Sequence, residues 1–440
     1  MLRYRQIFDF YWPLVLTSQM MTLAAPIINM GLGRAESPEQ QLAGYAVGFG
    51  LLVFLNSPLF PFVQTTAVLG VGGAARRSLL VKMLVLAVAL AALELALALS
   101  QGGAALIGRL MGSTPAVSRI AQQVALVQWP IPVLITLRSF YNGIVMRHQN
   151  TKLISQATVL RLALLSALLF GVAAAGHLPG ALLGGAALTL GIAGETAYIT
   201  VRGLGLLRRG AAGIDGPAAD RPVGWRRLWD FIGPLMVNAV TWSAMRPVLN
   251  AIVGRTADPD LAQASFGFVL PLLILSSSPL WAFNSTTVVL VKRREDFPVM
   301  LRFGGVTIAL FVLSIALVVL TPLRDLLLSR VFGLSADAAL YATVLPALLI
   351  IPWQPISLGL RTINQGYLMA QERTRTIGVA SFVKLLLVLA LGFALVRDEP
   401  ALNGALLGTL LLMGSETLET LLVMLRVRRL YAAEPAASPE

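Results

Sequence analysis

Runs of roughly twenty apolar residues, the length a helix needs to cross a bilayer, follow one another along the whole chain, broken by short polar stretches. The pattern predicts twelve spans. They lie near 10–32, 43–70, 79–101, 115–146, 153–175 and 179–204, then 230–253, 261–291, 299–322, 338–369, 376–397 and 401–427. The expected fold class is therefore an all-α polytopic membrane protein.

The pattern also repeats. "LRSFYNGIVMRHQNTKL" ahead of Ile154 is echoed by "LRTINQGYLMAQERTRT" ahead of Ile377. Arg138 pairs with Arg361, Gly143 with Gly366, Met146 with Met369, Thr151 with Thr374 and Arg161 with Lys384, all 223 positions apart. Nearer the start, "DFYWPL" from Asp9 meets "DFIGPL" from Asp230, and "SPLFPFVQTT" from Ser57 meets "SPLWAFNSTT" from Ser278, at an offset of 221. The same offset lays Glu195-Thr196 over Glu416-Thr417. A collinear series of this kind predicts two repeats of six spans. An even number of spans gives both repeats one orientation, related by an axis along the membrane normal, the arrangement of two lobes around a cleft used in alternating access.

Composition narrows the class. Of 440 residues, 57% are hydrophobic and 12% charged, with a mean hydropathy of +0.78, whereas a soluble domain carries about 25% charged residues. The net charge of +13 does not point to nucleic acid, because the cations sit in short loops. One set of alternate connections holds Arg3, Arg5, Arg76, Arg77, Arg147, Lys152, Arg208, Arg209, Lys292 to Arg294, Arg373, Arg375 and Arg426 to Arg429. The other set is acidic or neutral apart from Arg109 and Arg119. The positive-inside rule then places both termini in the cytoplasm, with the protein expected in a bacterial cytoplasmic (inner) membrane. "MLRYRQ" runs into a full-length span without a small-residue cleavage site, so the first helix is expected to remain. The expected domains are a six-helix lobe at 1–205, a cytoplasmic linker at 206–229, a second six-helix lobe at 230–428 and a disordered tail at 429–440.

A charge inside a span costs about 2.5–3.5 kcal/mol on insertion scales and needs a partner, water or a function. Arg138, Arg161 and Glu195 in the first half match Arg361, Lys384 and Glu416 in the second. All six are expected at one depth, as two equivalent triads of net charge +1. They form either an ion-pair network that pins three helices, with a gating role open to it, or a cationic vestibule in which Arg138 and Arg361 meet substrate. Arg246 has no twin, its counterpart being Ala25, and no acid lies near it in its own span, Asp230 standing at the opposite end. It is the leading candidate for an anion contact, with Asn250 one turn away. Asn29, Asn56, Gln64 and Asn284 are further cavity-lining candidates, although hydrogen bonds between helices explain them as well. Glu94 stands alone in an apolar helix and aligns with Ile315; it is either a proton-coupling site or a paired core residue.

No P-loop, "HExxH" or "GxSxG" motif is present, and there is no cysteine. His148 and His177 have no metal-ligand company. The expectation is a chain that is not an enzyme, without metal or cofactor, acting as a monomer in lipid on a small anionic substrate.

"FYWPLVLTSQ" (from Phe10), "RPVLNAIVGR" (from Arg246), "LRTINQGYLMAQERT" (from Leu360) and "GALLGTLLLMGSETLET" (from Gly404) resemble the progressive ankylosis family of the multidrug/oligosaccharidyl-lipid/polysaccharide (MOP) exporter superfamily. The resemblance runs over nearly the whole chain. It implies the V-shaped fold of multidrug-extrusion (MATE) transporters and export of organic or phosphate-bearing anions such as citrate or nucleotides. Arg246 falls in its "RP" pair. The chain departs from the MATE pattern of an acid within the first span: Asp9 lies at its mouth and the next acid is Glu36. Proton-coupled export of cationic drugs is thus less favoured than potential-driven export of an anion. A lipid-linked saccharide flippase and a non-transporting membrane scaffold are the alternatives.

Overall fold

The computed structural model describes residues 2–32, 37–173, 180–210, 221–331, 339–397 and 403–433, and every regular element among them is helical. The first repeat runs α1 (Tyr4–Leu32), α2 (Pro38–Asn56), α3 (Phe62–Leu69), α4 (Gly73–Leu99), α5 (Gly103–Met111), α6 (Pro115–Gln128), α7 (Ile131–Arg147), α8 (Lys152–Ala173) and α9 (Gly180–Gly210). The second runs α10 (Trp225–Val253), α11 (Pro259–Ser277), α12 (Ala282–Leu290), α13 (Asp296–Leu320), α14 (Leu323–Leu326), α15 (Ala339–Ile350), α16 (Gln354–Ala370), α17 (Arg375–Leu395) and α18 (Gly404–Ala433). The elements correspond one for one.

Ten spans are long and apolar enough to cross a membrane, and α6 with α7, bent by 47° across Trp129–Pro130, makes an eleventh. The helix expected as a further span, α10, has the same 29 residues as α1 in length but carries Arg226, Arg227, Asp230 and Arg246 and is not apolar enough to count with them. Spans α2/α3, α11/α12 and α15/α16 are each interrupted near a proline, at Pro58, Pro279 and Pro352, where a ring without N–H loosens the ladder. Along α13, Val306, Leu310, Leu313, Leu317 and Leu320 stand exposed at helical spacing, and Val81, Val85 and Val88 do the same on α4. Such stripes match hydrocarbon, not water.

The chain divides into two compact units. One holds Trp12–Ile232; the other holds Met1–Tyr11 and Gly233–Glu440. The boundary therefore cuts α1 and α10 rather than falling in the connection after α9. In the second unit Leu2 N–H donates to Asp296 (3.0 Å), Tyr11 donates to the Pro279 carbonyl (3.2 Å), and the Tyr11 ring stacks on Phe283 with centroids 4.5 Å apart. In the first, Ser78 donates to the Val223 carbonyl at 2.8 Å and Lys82 lies over the Trp225 ring. Residues 206–210 extend α9, 225–229 open α10 and 429–433 extend α18, so the expected linker and tail are helical at these edges. The middle of the linker (211–220), His177 and the tail from 434 lie outside the described residues.

Small residues set the close crossings. A Cβ on Gly143 (α7) would lie 2.6 Å from Thr66 Cβ and 2.7 Å from the Val63 carbonyl oxygen. A Cβ on Gly366 (α16) would lie 2.6 Å from Thr287 Cβ and 2.7 Å from the Asn284 carbonyl oxygen. These are the same positions in the two repeats. Backbone contact of this kind is how membrane helices gain packing where no hydrophobic driving force exists between them. Behind it, Leu249, Val253, Phe266, Leu273, Val344 and Leu348 join one apolar cluster in the second unit.

Candidate functional site

Two buried charge clusters lie at mid-helix, one in each unit. In the first, Glu195 is the sixteenth residue of α9. Its Oε2 accepts from Arg138 Nη1 at 2.8 Å and lies 3.5 Å from Arg161 Nη1, while Oε1 accepts from Thr158 at 3.2 Å. The cluster thus ties α7, α8 and α9 together. In the second, Glu419 is the sixteenth residue of α18. It accepts from Arg361 Nη1 at 2.6 Å, Lys384 Nζ at 2.6 Å, Ser381 at 2.8 Å and Gln365 at 3.1 Å.

This corrects the expected triad. Glu419, not Glu416, takes the place of Glu195. The dipeptide Glu-Thr occurs twice in "SETLET", three residues apart, and alignment at 221 chose the wrong copy. The geometry decides: Thr196 donates to the Leu134 carbonyl and Thr420 to the Ser357 carbonyl, and Leu134 and Ser357 are mates at 223. Gly184 approaches Leu32 and Tyr45, and Gly408 approaches Val253 and Phe266, again mates. The register of the last helix is 224. "GALLG" from Gly180 and from Gly404 is the signal that carried this information. Glu416 is an extra carboxylate. It accepts from Gln354 at 2.5 Å and lies 3.5 Å from Arg361 Nη2. The second cluster is therefore neutral and the first keeps one positive charge, against the expected +1 in each.

Arg138 and Arg361 are thus both engaged by carboxylates of their own unit, with side chains 14% and 7% exposed. Glu94 is not alone either. Its Oε1 accepts from Asn56 Nδ2 at 2.6 Å, so the two candidates form one buried α2–α4 link beside a small pocket lined by Gly48, Leu51, Leu52, Leu55, Leu97 and Ala125. Gln64 and Asn284 are half-buried on α3 and α12, and their side-chain oxygens have no partner among the described residues. Asn29 is exposed on α1.

Arg246 is different. It stands exposed on α10 with Trp242 one turn before and Asn250 one turn after, three residues at a spacing of four. Trp242 packs edge-on against Trp281, centroids 5.7 Å apart. Among the described residues Arg246 has no hydrogen bond and no ion pair, and nothing links it to either cluster.

These features define a polytopic membrane protein of two helical repeats with polar groups at mid-helix. That fold is shared with solved transporters. A MOP superfamily transporter from Pyrococcus furiosus, described as having a binding pocket of reverse polarity that suggests a different function, matches with a TM-score of 0.75 and 16% identity over 98% of this chain and 96% of that one. A MATE in the straight conformation matches with a TM-score of 0.77 and 15% identity at the same coverage. An outward-facing multidrug resistance MATE family transporter gives 0.73 and 15%, again over 98% and 96%. No curated protein matches the sequence. The family model of Progressive ankylosis protein (ANKH) matches residues 2–259, more than half of the chain. The protein belongs to the progressive ankylosis protein family.

Proposed function

We propose that this protein is a membrane transporter that exports organic or phosphate-bearing anions, citrate-like or nucleotide-like, by alternating access. The observation that carries the reading is Arg246, an exposed guanidinium well inside α10 with no hydrogen bond or ion pair among the described residues. A cation at that depth facing lipid costs about 2.5–3.5 kcal/mol or more, so its face is expected to border water. A guanidinium there offers a carboxylate or phosphate a two-pronged contact, with Asn250 as a neutral donor beside it. The matched family segment ends at residue 259 and so includes Arg246. The reverse polarity described for the Pyrococcus furiosus transporter's pocket favours the view that this fold need not imply a cationic cargo. The charge of the loops supports a cytoplasmic side for both termini.

The test is efflux from proteoliposomes loaded with radiolabelled citrate or ATP under an inside-negative potential. Arg246→Ala is expected to slow efflux at least about tenfold, the loss of one charge-assisted contact of ~1.5–3 kcal/mol, and Arg246→Lys to restore part of it. Unchanged efflux in Arg246→Ala would remove this residue from the substrate path.

A further inference from the structure

The two clusters differ in one place that bears on charge. In the second cluster Gln354 and Glu416 stand beside Arg361. Their mates in the first unit are Ile131 and Ile192, both buried. A polar pair has been exchanged for an apolar pair, and with it the first unit lacks the second carboxylate. Among the described residues Arg138 and Arg161 face Glu195 as their one acid. Arg361 uses Nη1 and Nη2 on two different carboxylates, whereas Arg138 uses Nη1 on one. The Nε atoms of Arg138 and Arg161 are buried without a partner, as is that of Arg361. An uncompensated charge in a low-dielectric interior is costly unless paired. Arg138 is also the more exposed of the two mated arginines, its side chain at 14% against 7% for Arg361.

We propose that Arg138 and Arg161 hold a small inorganic anion of single charge, of the chloride class, which completes the first cluster as Glu416 completes the second. The site lies in the unit that does not contain Arg246, and it stands or falls apart from any substrate contact there. The anion reaches Arg138 at the rim of the cluster, and Ile192 occupies the position from which a built-in carboxylate would compete with it.

The experiment is thermal unfolding of the purified full-length protein as sodium chloride replaces sodium gluconate at constant ionic strength. The wild type is expected to show a saturable rise of about 2 °C or more, the mass-action signature of a ligand bound to the folded state. Ile192→Glu should abolish the chloride dependence by supplying the missing charge. Arg138→Gln should abolish it by removing the surplus cation, and it serves if Ile192→Glu does not fold. Glu416→Gln should add a second saturable component. The proposal is overturned by a wild-type midpoint that ignores chloride, by a response that survives in both Ile192→Glu and Arg138→Gln, or by a shift that citrate produces and chloride does not.

Discussion

Glu419 and Glu416 sit one turn apart on the same helix, yet their partners make them unequal. Glu419 is fully buried and binds Arg361, Lys384, Ser381 and Gln365. Removing its charge leaves Lys384 without a close carboxylate and Arg361 with Glu416 alone at 3.5 Å, a loss of about 3–5 kcal/mol for a broken buried pair. Glu416 serves chiefly Gln354, and a glutamine there still accepts that bond, so the cost is expected below about 2 kcal/mol. Thermal unfolding of Glu419→Gln and Glu416→Gln side by side checks the order, and equal midpoints would contradict it. The Asn56–Glu94 link supplies a second residue-level test. Its mates are Ser277 and Ile315. Asn56→Ser strips a buried carboxyl of its donor and is expected to cost about 1–3 kcal/mol. The double change Asn56→Ser with Glu94→Ile imports the second repeat's solution and should recover most of that loss. A double-mutant cycle showing no coupling would argue that the 2.6 Å bond contributes nothing.

At the scale of elements, mated glycines predict mated effects. Gly143→Ala and Gly366→Ala each push a methyl against a threonine side chain and a carbonyl oxygen at 2.6–2.7 Å. Each is expected to destabilise by about 1–3 kcal/mol, the cost of overpacking. Gly171→Ala, whose Cβ would meet nothing within 4 Å, should be neutral or gain up to about 1 kcal/mol of helix propensity. Unfolding midpoints that fail to separate Gly171 from the other two would refute the crossing. The elements themselves were largely legible. Apolar runs gave the spans, and "LRSFYNG" against "LRTINQG" gave the repeat, because α7 and α16 hold their register through a charged residue and a glycine that neighbours constrain. The breaks inside α2/α3, α11/α12 and α15/α16 were marked by Pro58, Pro279 and Pro352, but their form was not legible, since an apolar run reads alike whether its proline bends a helix or sits in a turn of 3₁₀ helix. The site was half legible. Arg138, Arg161 and Glu195 were found as a set, and Arg246 as the odd residue. Glu419 was missed because two identical dipeptides one turn apart offer no preference by themselves; "GALLG" at Gly180 and Gly404 and the carbonyls of Leu134 and Ser357 choose between them. The Asn56–Glu94 bond was missed because it joins helices whose relative rotation no periodicity reports.

For the molecule as a whole, the question is what drives the cargo. Arg246 stands on an exposed face, whereas Glu94, the acid within α4, is only 4% exposed and bonded to Asn56. That balance suits a cargo carrying negative charge. Moving one elementary charge through 100 mV is worth about 2.3 kcal/mol, so a trivalent anion leaving a negative interior gains about 7 kcal/mol, roughly five powers of ten in concentration ratio. No coupling ion is then required. In proteoliposomes carrying a potassium gradient and valinomycin, citrate efflux should accelerate as the interior is made more negative and reverse when the sign is reversed. A pH gradient imposed at zero potential should leave the rate unchanged, and Glu94→Gln should behave as the wild type in both conditions. Efflux that follows the pH gradient instead, and is lost in Glu94→Gln, would make the buried acid on α4 a proton carrier and the transporter an antiporter.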